Sequence, residues 1–291
     1  MNQTKKNDMT EMTKSEAGSW ELARKDGKIG TGNWQAWGTN LAPIYEAAED
    51  WKKALSGIDK PWLCWALDDE WNIIQQKLVK AAGWTPIVGN DTGLKKPTIL
   101  AGSVYVNFNE RLQLPTMWMH FPIEFAFLFC EKLAFWHSDL LCSRTDMANY
   151  AKIFESLNQG EMAAVKHTHG WWGLKDSFRN HFGELVACTT KEASESQFIN
   201  GCGWWRHIEC HPNFNTNIHK GAKYYYEHGT GTWVWNKKFK GIVKPLKVNE
   251  KDGHASARVN HRPEKLSKAE ELKEYSDLTE IAKALNITDL L

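Results

Sequence analysis

Within EKLAFWHSDLLCS, Glu131 to Ser143, an apolar run that reads as a buried strand is interrupted by His137, Ser138 and Asp139. A carboxylate and an imidazole do not belong in a core strand unless they are paired or bind something. Two explanations fit. The strand ends at Trp136 and the triplet is a plain turn, or the turn carries a metal site. In sheets whose strands alternate with helices, ligands gather beyond the carboxyl ends of the strands. Asp139 in such a turn is placed to bind a hard divalent cation, Mn2+ or Mg2+, which in turn holds a diphosphate.

A second group of ligand-type residues lies in FINGCGWWRHIECHPN, where Cys202, His207, Cys210 and His211 are close in sequence. Their spacing matches no standard zinc finger, so a structural zinc competes with a helix whose cysteines face the core. A carboxylate is one group that can serve as general acid or base, and Asp176, Glu192 and Glu195 are the candidates. Arg206 or Lys175 could neutralise a phosphate. The aromatic pairs in WWG (171–173) and GWW (203–205) suit a platform for a sugar or a base, or a packing corner.

The elements that must position these residues follow from periodicity. LAPIYEAAEDWKKAL has helical spacing, with Leu41, Ile44, Tyr45, Ala48, Trp51 and Leu55 on one face. PWLCWAL reads as a buried strand, DDEWNIIQQKLVKAAG as a helix with acids in its first turn and a glycine stop, and TPIVG as a second strand. Strand, helix, strand is the seed of a parallel sheet. TILAGSVYVNF reads as another strand, FPIEFAFLFCE as a buried helix and KLAFW as the strand before the His-Ser-Asp triplet. RTDMANYAKIFESLNQG reads as a helix capped by Thr145 or Asp146, stopped at Gly160, with Met147, Tyr150, Ile153, Phe154 and Leu157 inward. EMAAV and ELVACTT read as two further strands.

From Lys60 to Pro212 this order of elements resembles the GT-A class of nucleotide-sugar glycosyltransferases. In that class one α/β domain carries a strand ending in a short acidic motif, D-x-D, that binds the divalent ion and the sugar nucleotide. Here His137 stands in the first position and Asp139 in the second. The resemblance implies an α/β fold: one GT-A-like, Rossmann-related domain with a mixed, mostly parallel sheet and a C-terminal helical extension. It implies that Trp62 to Asp69 hold the nucleotide, with Asp68 or Asp69 on the ribose, joined by Ser138, Asp139 and Arg206. It makes His211, with His207 second, a further metal ligand beside His137 and Asp139. It sets Glu195, then Asp176, as the catalytic carboxylate, and a UDP-hexose as donor.

The acceptor has to come from elsewhere in the chain. Asn236 to Lys268 is rich in Lys and Arg with few acids, which fits either a solvated linker or a contact with a polyanion. The layout is also faintly similar to virus-encoded and base-J-type enzymes that glycosylate hydroxymethylated pyrimidines. Hydroxymethylcytosine or hydroxymethyluracil in DNA is therefore the leading acceptor, ahead of a glycan or small metabolite. From a different class, a non-catalytic zinc protein that binds nucleic acid fits the same basic segment.

Bulk properties bound these expectations. The 291 residues carry a formal charge of only +1, so any nucleic-acid contact must be a local patch. Sixteen tryptophans are far more than a chain of this size usually has, which suits stacking surfaces or a heavy core. Residues 1–30 have the composition of a flexible polar tail and 236–291 that of a basic segment with terminal helices, and the resemblance makes 31–235 the GT-A-like catalytic domain. The polar N-terminus, the apolar settings of most cysteines and the absence of an apolar run of about 18 residues point to a cytoplasmic protein with free thiols and no membrane contact, the host cytoplasm if viral.

Overall fold

The computed structural model describes residues 42–90, 94–112, 123, 130–168, 180–200, 202, 230–255 and 277–291. The chain is α/β, with a seven-stranded sheet. Its strands are β1 (Pro61–Ala66), β2 (Thr85–Asn90), β3 (Val104–Tyr105), β4 (Lys132–Trp136), β5 (Glu161–Thr168), β6 (Asn180–Thr190) and β7 (Ile242–Leu246). Their order across the sheet is β3-β2-β1-β4-β6-β5-β7. All run parallel except β6, which is antiparallel to both of its neighbours. The described helices are α1 (Ala42–Leu55), α2 (Asp69–Ala81), α3 (Arg144–Glu155), α4 (Lys191–Ile199), α5 (Thr230–Lys238), α6 (Glu250–Gly253) and α7 (Leu278–Ala284).

The strand-helix-strand unit expected from PWLCWAL onward is present. All six residues of β1 are buried, as a central parallel strand covered on both faces requires. Asp68 caps α2 by accepting from the Trp71 N–H, Asp69 and Glu70 follow in the first turn where they favour the helix dipole, and Gly83 takes φ +80 just past the end. β1 then pairs with β2 in parallel register, Pro61 opposite Thr85 through Ala66 opposite Asn90.

Alternation along the strands divides the core into two apolar layers. Leu63, Trp65, Leu133, Phe135, Met162 and Ala164 face one side, under α1 and α5, where Trp51 and Trp235 are 2% exposed. Trp62, Cys64, Ala134, Trp136, Ala163 and Val165 face the other, under α2, α3 and α7. Seven of the sixteen tryptophans (Trp51, Trp62, Trp65, Trp71, Trp84, Trp136 and Trp235) are therefore core residues, each 3% exposed or less.

Several local expectations change. Of TILAGSVYVNF only Val104–Tyr105 pairs as a strand, because α2 side chains take the backbone before it. The Thr98 N–H donates to Asp69, the Thr98 carbonyl accepts from Gln76 Nε2, and the Leu100 N–H donates to Gln76 Oε1. α3 is capped two to three residues earlier than Thr145 or Asp146: Ser143 Oγ accepts from the Asp146 N–H. Ile153 is only partly buried there, while Met147, Tyr150, Phe154 and Leu157 are buried. The expected helix FPIEFAFLFCE lies almost wholly outside the described residues, as does the 1–30 tail.

The basic stretch after Asn236 is not a linker over its described part. Ile242–Leu246 is the edge strand of the same sheet, parallel to β5 from Glu161 opposite Ile242. Its single proline is tolerated because an edge strand need not donate on both sides. The C-terminal helix also belongs to the core, with Ile281, Ala282 and Ile287 fully buried. A boundary at 235 and 236 would thus cut through the sheet. Cys64, Cys130, Cys142 and Cys188 are free thiols. Among the described residues no helix is long and apolar enough to cross a membrane.

Candidate metal centre

The sheet order creates one topological switch point. From β1 the chain moves to β2 and β3 on one side, then returns to place β4 on the other. The carboxyl ends of β1 and β4 therefore flank the switch point, the position at which α/β sheets bind ligands. β4 ends at Trp136, and His137, Ser138 and Asp139 form the turn that follows it. The triplet is thus a turn, and the turn stands at the sheet end where ligands gather in such folds.

Three separate elements fix this turn. The His137 N–H donates to the Leu185 carbonyl of β6 at 2.9 Å. That carbonyl lies in a stretch of β6 where the pairing with β5 slips between Ala164 and Val165, an irregularity of the kind that re-aims side chains beside functional sites. Gln75 of α2, fully buried, donates from Nε2 to the carbonyls of His137 at 3.1 Å and Leu140 at 2.9 Å. The chain after β7 closes the third side. The Ala255 N–H donates to the Asp139 carbonyl at 2.9 Å and the Leu141 N–H to the Gly253 carbonyl at 3.0 Å.

That last contact brings His254 against the triplet. His254 Nε2 lies 3.1 Å from Asp139 Oδ1 and 3.3 Å from His137 Nδ1, and His137 Nδ1 contacts Asp139 Oδ1 directly. His137, Asp139 and His254 thus offer one ligand atom each, all within 4.8 Å of one another. Donors at right angles around an ion with bonds of about 2.1 Å would be about 3 Å apart, so the two His254 separations fit one coordination sphere. Asp139 is 2% exposed at its side chain, against 18% for His137 and 11% for His254. The two histidines are thus the members of the set nearer to solvent.

The electrostatics suit a cation. Burial pushes the Asp139 carboxyl up, but the adjoining His137 and His254 outweigh it and hold the group well below the usual carboxylate range. A buried charge persists only when paired or bound to metal. Two imidazoles and one carboxylate are a donor set for Mn2+, Fe2+ or Zn2+ more than for a cation that prefers oxygen alone.

The other expected site residues separate into three groups. Trp62 is core: it is fully buried, with its ring packed against Trp84, Trp136 and Phe154 at 5.1–5.6 Å between centroids, and is closed to any base. Asp69 is spent on Thr98 through both oxygens, whereas Asp68, although it caps α2, remains at the carboxyl end of β1. Ser138 is 5% exposed within the site turn.

Glu195 is at the wrong end of the sheet. β6 ends opposite the start of β4, with Thr190 facing Lys132, and α4 begins at the next residue. One β4 length, roughly 13 Å at about 3.3 Å per residue, separates that end from His137. Gln197, two residues past Glu195, still bonds Met162 near the first residues of β5. Glu192 lies in the first turn of the same helix. Asp176, Lys175, Arg206, His207, Cys210, His211 and both tryptophan pairs lie outside the described residues.

His254 is the member of this cluster that sequence reasoning missed. Its one local signal is the preceding glycine. A Cβ on Gly253 would sit 2.0 Å from the Leu141 carbonyl oxygen, so only glycine lets the His254 backbone approach the site turn this closely. No protein-family model, no curated protein and no solved structure matches this chain.

Proposed function

We propose that this chain is a metal-dependent glycosyltransferase of the GT-A kind, moving a hexose from a UDP-sugar to an acceptor hydroxyl. The observation that carries the proposal is the His137, Asp139 and His254 set at the carboxyl end of β4, beside the switch point between β1 and β4. It supports the resemblance in two ways: the acidic turn follows a strand of a mostly parallel sheet, and a histidine far downstream joins it. A divalent ion there supplies Lewis-acid neutralisation of the charge that develops on a departing nucleoside diphosphate.

The residues have distinct parts in this reaction. Asp139 would bring the carboxylate donor, and His137 and His254 the imidazole donors, to an ion that neutralises diphosphate charge. Gln75 and the 253–255 segment hold the turn rigid, so the ligands need not reorganise on binding. The nucleoside then lies toward the end of β1, with Asp68 the nearest candidate for its ribose. Glu195 drops out as the catalytic carboxylate because of its distance.

The acceptor we propose with this donor is a hydroxymethylated pyrimidine in DNA. Of the described lysines, Lys247 and Lys251 follow β7 and stand toward the metal end of the sheet. Lys237, Lys238 and Lys240 precede β7 and stand at the opposite end.

The test is a thermal-shift panel of UDP, GDP, ADP and CMP with and without Mn2+, on wild type and Asp139→Ala. Ligand at 100 times its Kd adds about 2.7 kcal/mol, or roughly 5–10 °C for a chain of this size. A shift for UDP that needs both Mn2+ and Asp139 is expected. No shift with any nucleotide would sink the glycosyltransferase proposal.

A further inference from the structure

The Nδ1 atom of His254 is buried and has no hydrogen-bond partner among the described residues. The nearest anionic atom the structure gives it is Glu250 Oε2, at 3.8 Å, one helical turn earlier on α6. This is too long for a hydrogen bond and short enough to become one by a small side-chain movement. The opposite ring nitrogen, Nε2, is the one aimed at Asp139 and His137. An imidazole that ligates a metal through one nitrogen carries its proton on the other, and a carboxylate or carbonyl on that proton fixes the tautomer and the ring plane.

We propose that Glu250 is a positioning residue for the metal centre: its carboxylate accepts from His254 Nδ1–H when an ion is bound, holding Nε2 as the ligating nitrogen. α6 supplies the geometry. Glu250 is its first residue and the His254 N–H donates to the Glu250 carbonyl at 3.0 Å, so the two side chains share one face of a single turn. β7 delivers that turn to the site end of the sheet, and the Gly253 contact with Leu141 locks it there. The unpaired Nδ1 is then an atom whose partner is already adjacent. The proposal rests on the metal centre and not on which group is transferred.

The test is calorimetric titration of Mn2+ into the full-length chain. Four proteins are compared: wild type, Glu250→Gln, Glu250→Leu and Asp252→Asn, the last removing an equal charge from the same turn. Glu250→Leu is expected to weaken Mn2+ binding about 10–100-fold, the usual cost of losing an outer-shell partner. Glu250→Gln, which keeps an acceptor oxygen, should lose less, and Asp252→Asn should stay within about twofold of wild type.

In Co2+-loaded protein, an exchangeable imidazole proton signal from His254 should persist in wild type and broaden away in Glu250→Leu. Circular dichroism of the metal-free variants identifies any that fail to fold, in which case Glu250→Gln decides. Wild-type Mn2+ binding with Glu250→Leu unchanged, or with Asp252→Asn weakened equally, overturns the positioning role alone. No Mn2+ binding by wild type overturns the metal centre as well.

Discussion

His254 Nε2 lies 3.1 Å from Asp139 Oδ1 across 115 residues of chain. Two strands of the sheet, β5 and β7, and the antiparallel β6 lie between these residues in sequence, and the approach depends on all three being placed. If the pair belongs to one coordination sphere, His254→Ala should weaken Mn2+ binding by more than about 100-fold, beyond the loss usual for an outer-shell residue. Titration calorimetry measures this directly. Binding within tenfold of wild type would take His254 out of the ligand set.

The distribution of what was legible follows from the physics of each element. β1, α2, β2, β4 and α3 announce themselves because burial on one or both faces forces a period into the sequence. β3 does not, since Asp69 and Gln76 take backbone groups ahead of it that would otherwise extend the ladder. The direction of β6 is also silent: an apolar strand looks the same running either way, and reading it as parallel puts Glu195 near the metal. β7 passes for a linker because IVKPL is short, carries a lysine and a proline, and has an edge position. His137 and Asp139 are legible as polar residues interrupting a core strand. His254 has no such contrast in a polar stretch, and only the fold reveals its partners.

Gln75 and Gly253 should affect the site without touching an ion. Gln75→Leu leaves the Leu140 carbonyl without its side-chain donor and the His137 carbonyl with the Leu140 N–H alone, at about 1–3 kcal/mol for a buried group left unsatisfied. Gly253→Ala forces a methyl into the Leu141 carbonyl, a form of overpacking that costs about 1–3 kcal/mol. Urea unfolding of each variant should show these losses, and Mn2+ affinity should fall with them. Full stability and full affinity in Gly253→Ala would mean that the 253–255 segment does not sit against the turn.

Acid should loosen the edge that carries β7. Glu161 is held below its ordinary 4.5, chiefly by the hydrogen bond from Lys244 and also by the Asn158 backbone N–H, with Lys244 Nζ at 2.8 Å. A depressed carboxylate pKa stabilises the fold above the unfolded value and loses that contribution as pH falls through the folded one. The urea midpoint of wild type should therefore exceed that of Glu161→Gln at pH 7, and the gap should close below about pH 4.5. A gap that is constant from pH 7 to pH 3 would show that the Lys244 pair contributes nothing.

The thiols should be inert in the native chain. Burial, with Glu131 adding to it, pushes Cys130 up to about 12, and burial raises Cys64, Cys142 and Cys188 further still. Only the thiolate attacks, so iodoacetamide at pH 8 should leave these four unmodified and label all of them in guanidinium. Peptide mapping by mass spectrometry reads both states. Rapid native labelling of Cys64 or Cys188 would be incompatible with their strands lying inside the sheet.

Removing the C-terminus should be far costlier than its remoteness from the ligands suggests. A chain ending at Ala255 keeps His137, Asp139 and His254 but loses α7, whose Ile281 is fully buried, along with Leu285 and Ile287 at 5% and 0% exposure. Each such side chain contributes about 1.5–3 kcal/mol by burial, and three together approach the roughly 5–15 kcal/mol that stabilises a typical domain. Arg144 is also paired with Asp289, and Lys77 Nζ donates to the Leu290 carbonyl, but these partly exposed contacts add little. The truncated chain should lose cooperative thermal unfolding by circular dichroism, and Mn2+ binding with it. If it melts within a few degrees of wild type and still binds Mn2+, α7 is an appendage and the metal turn is held by the sheet alone.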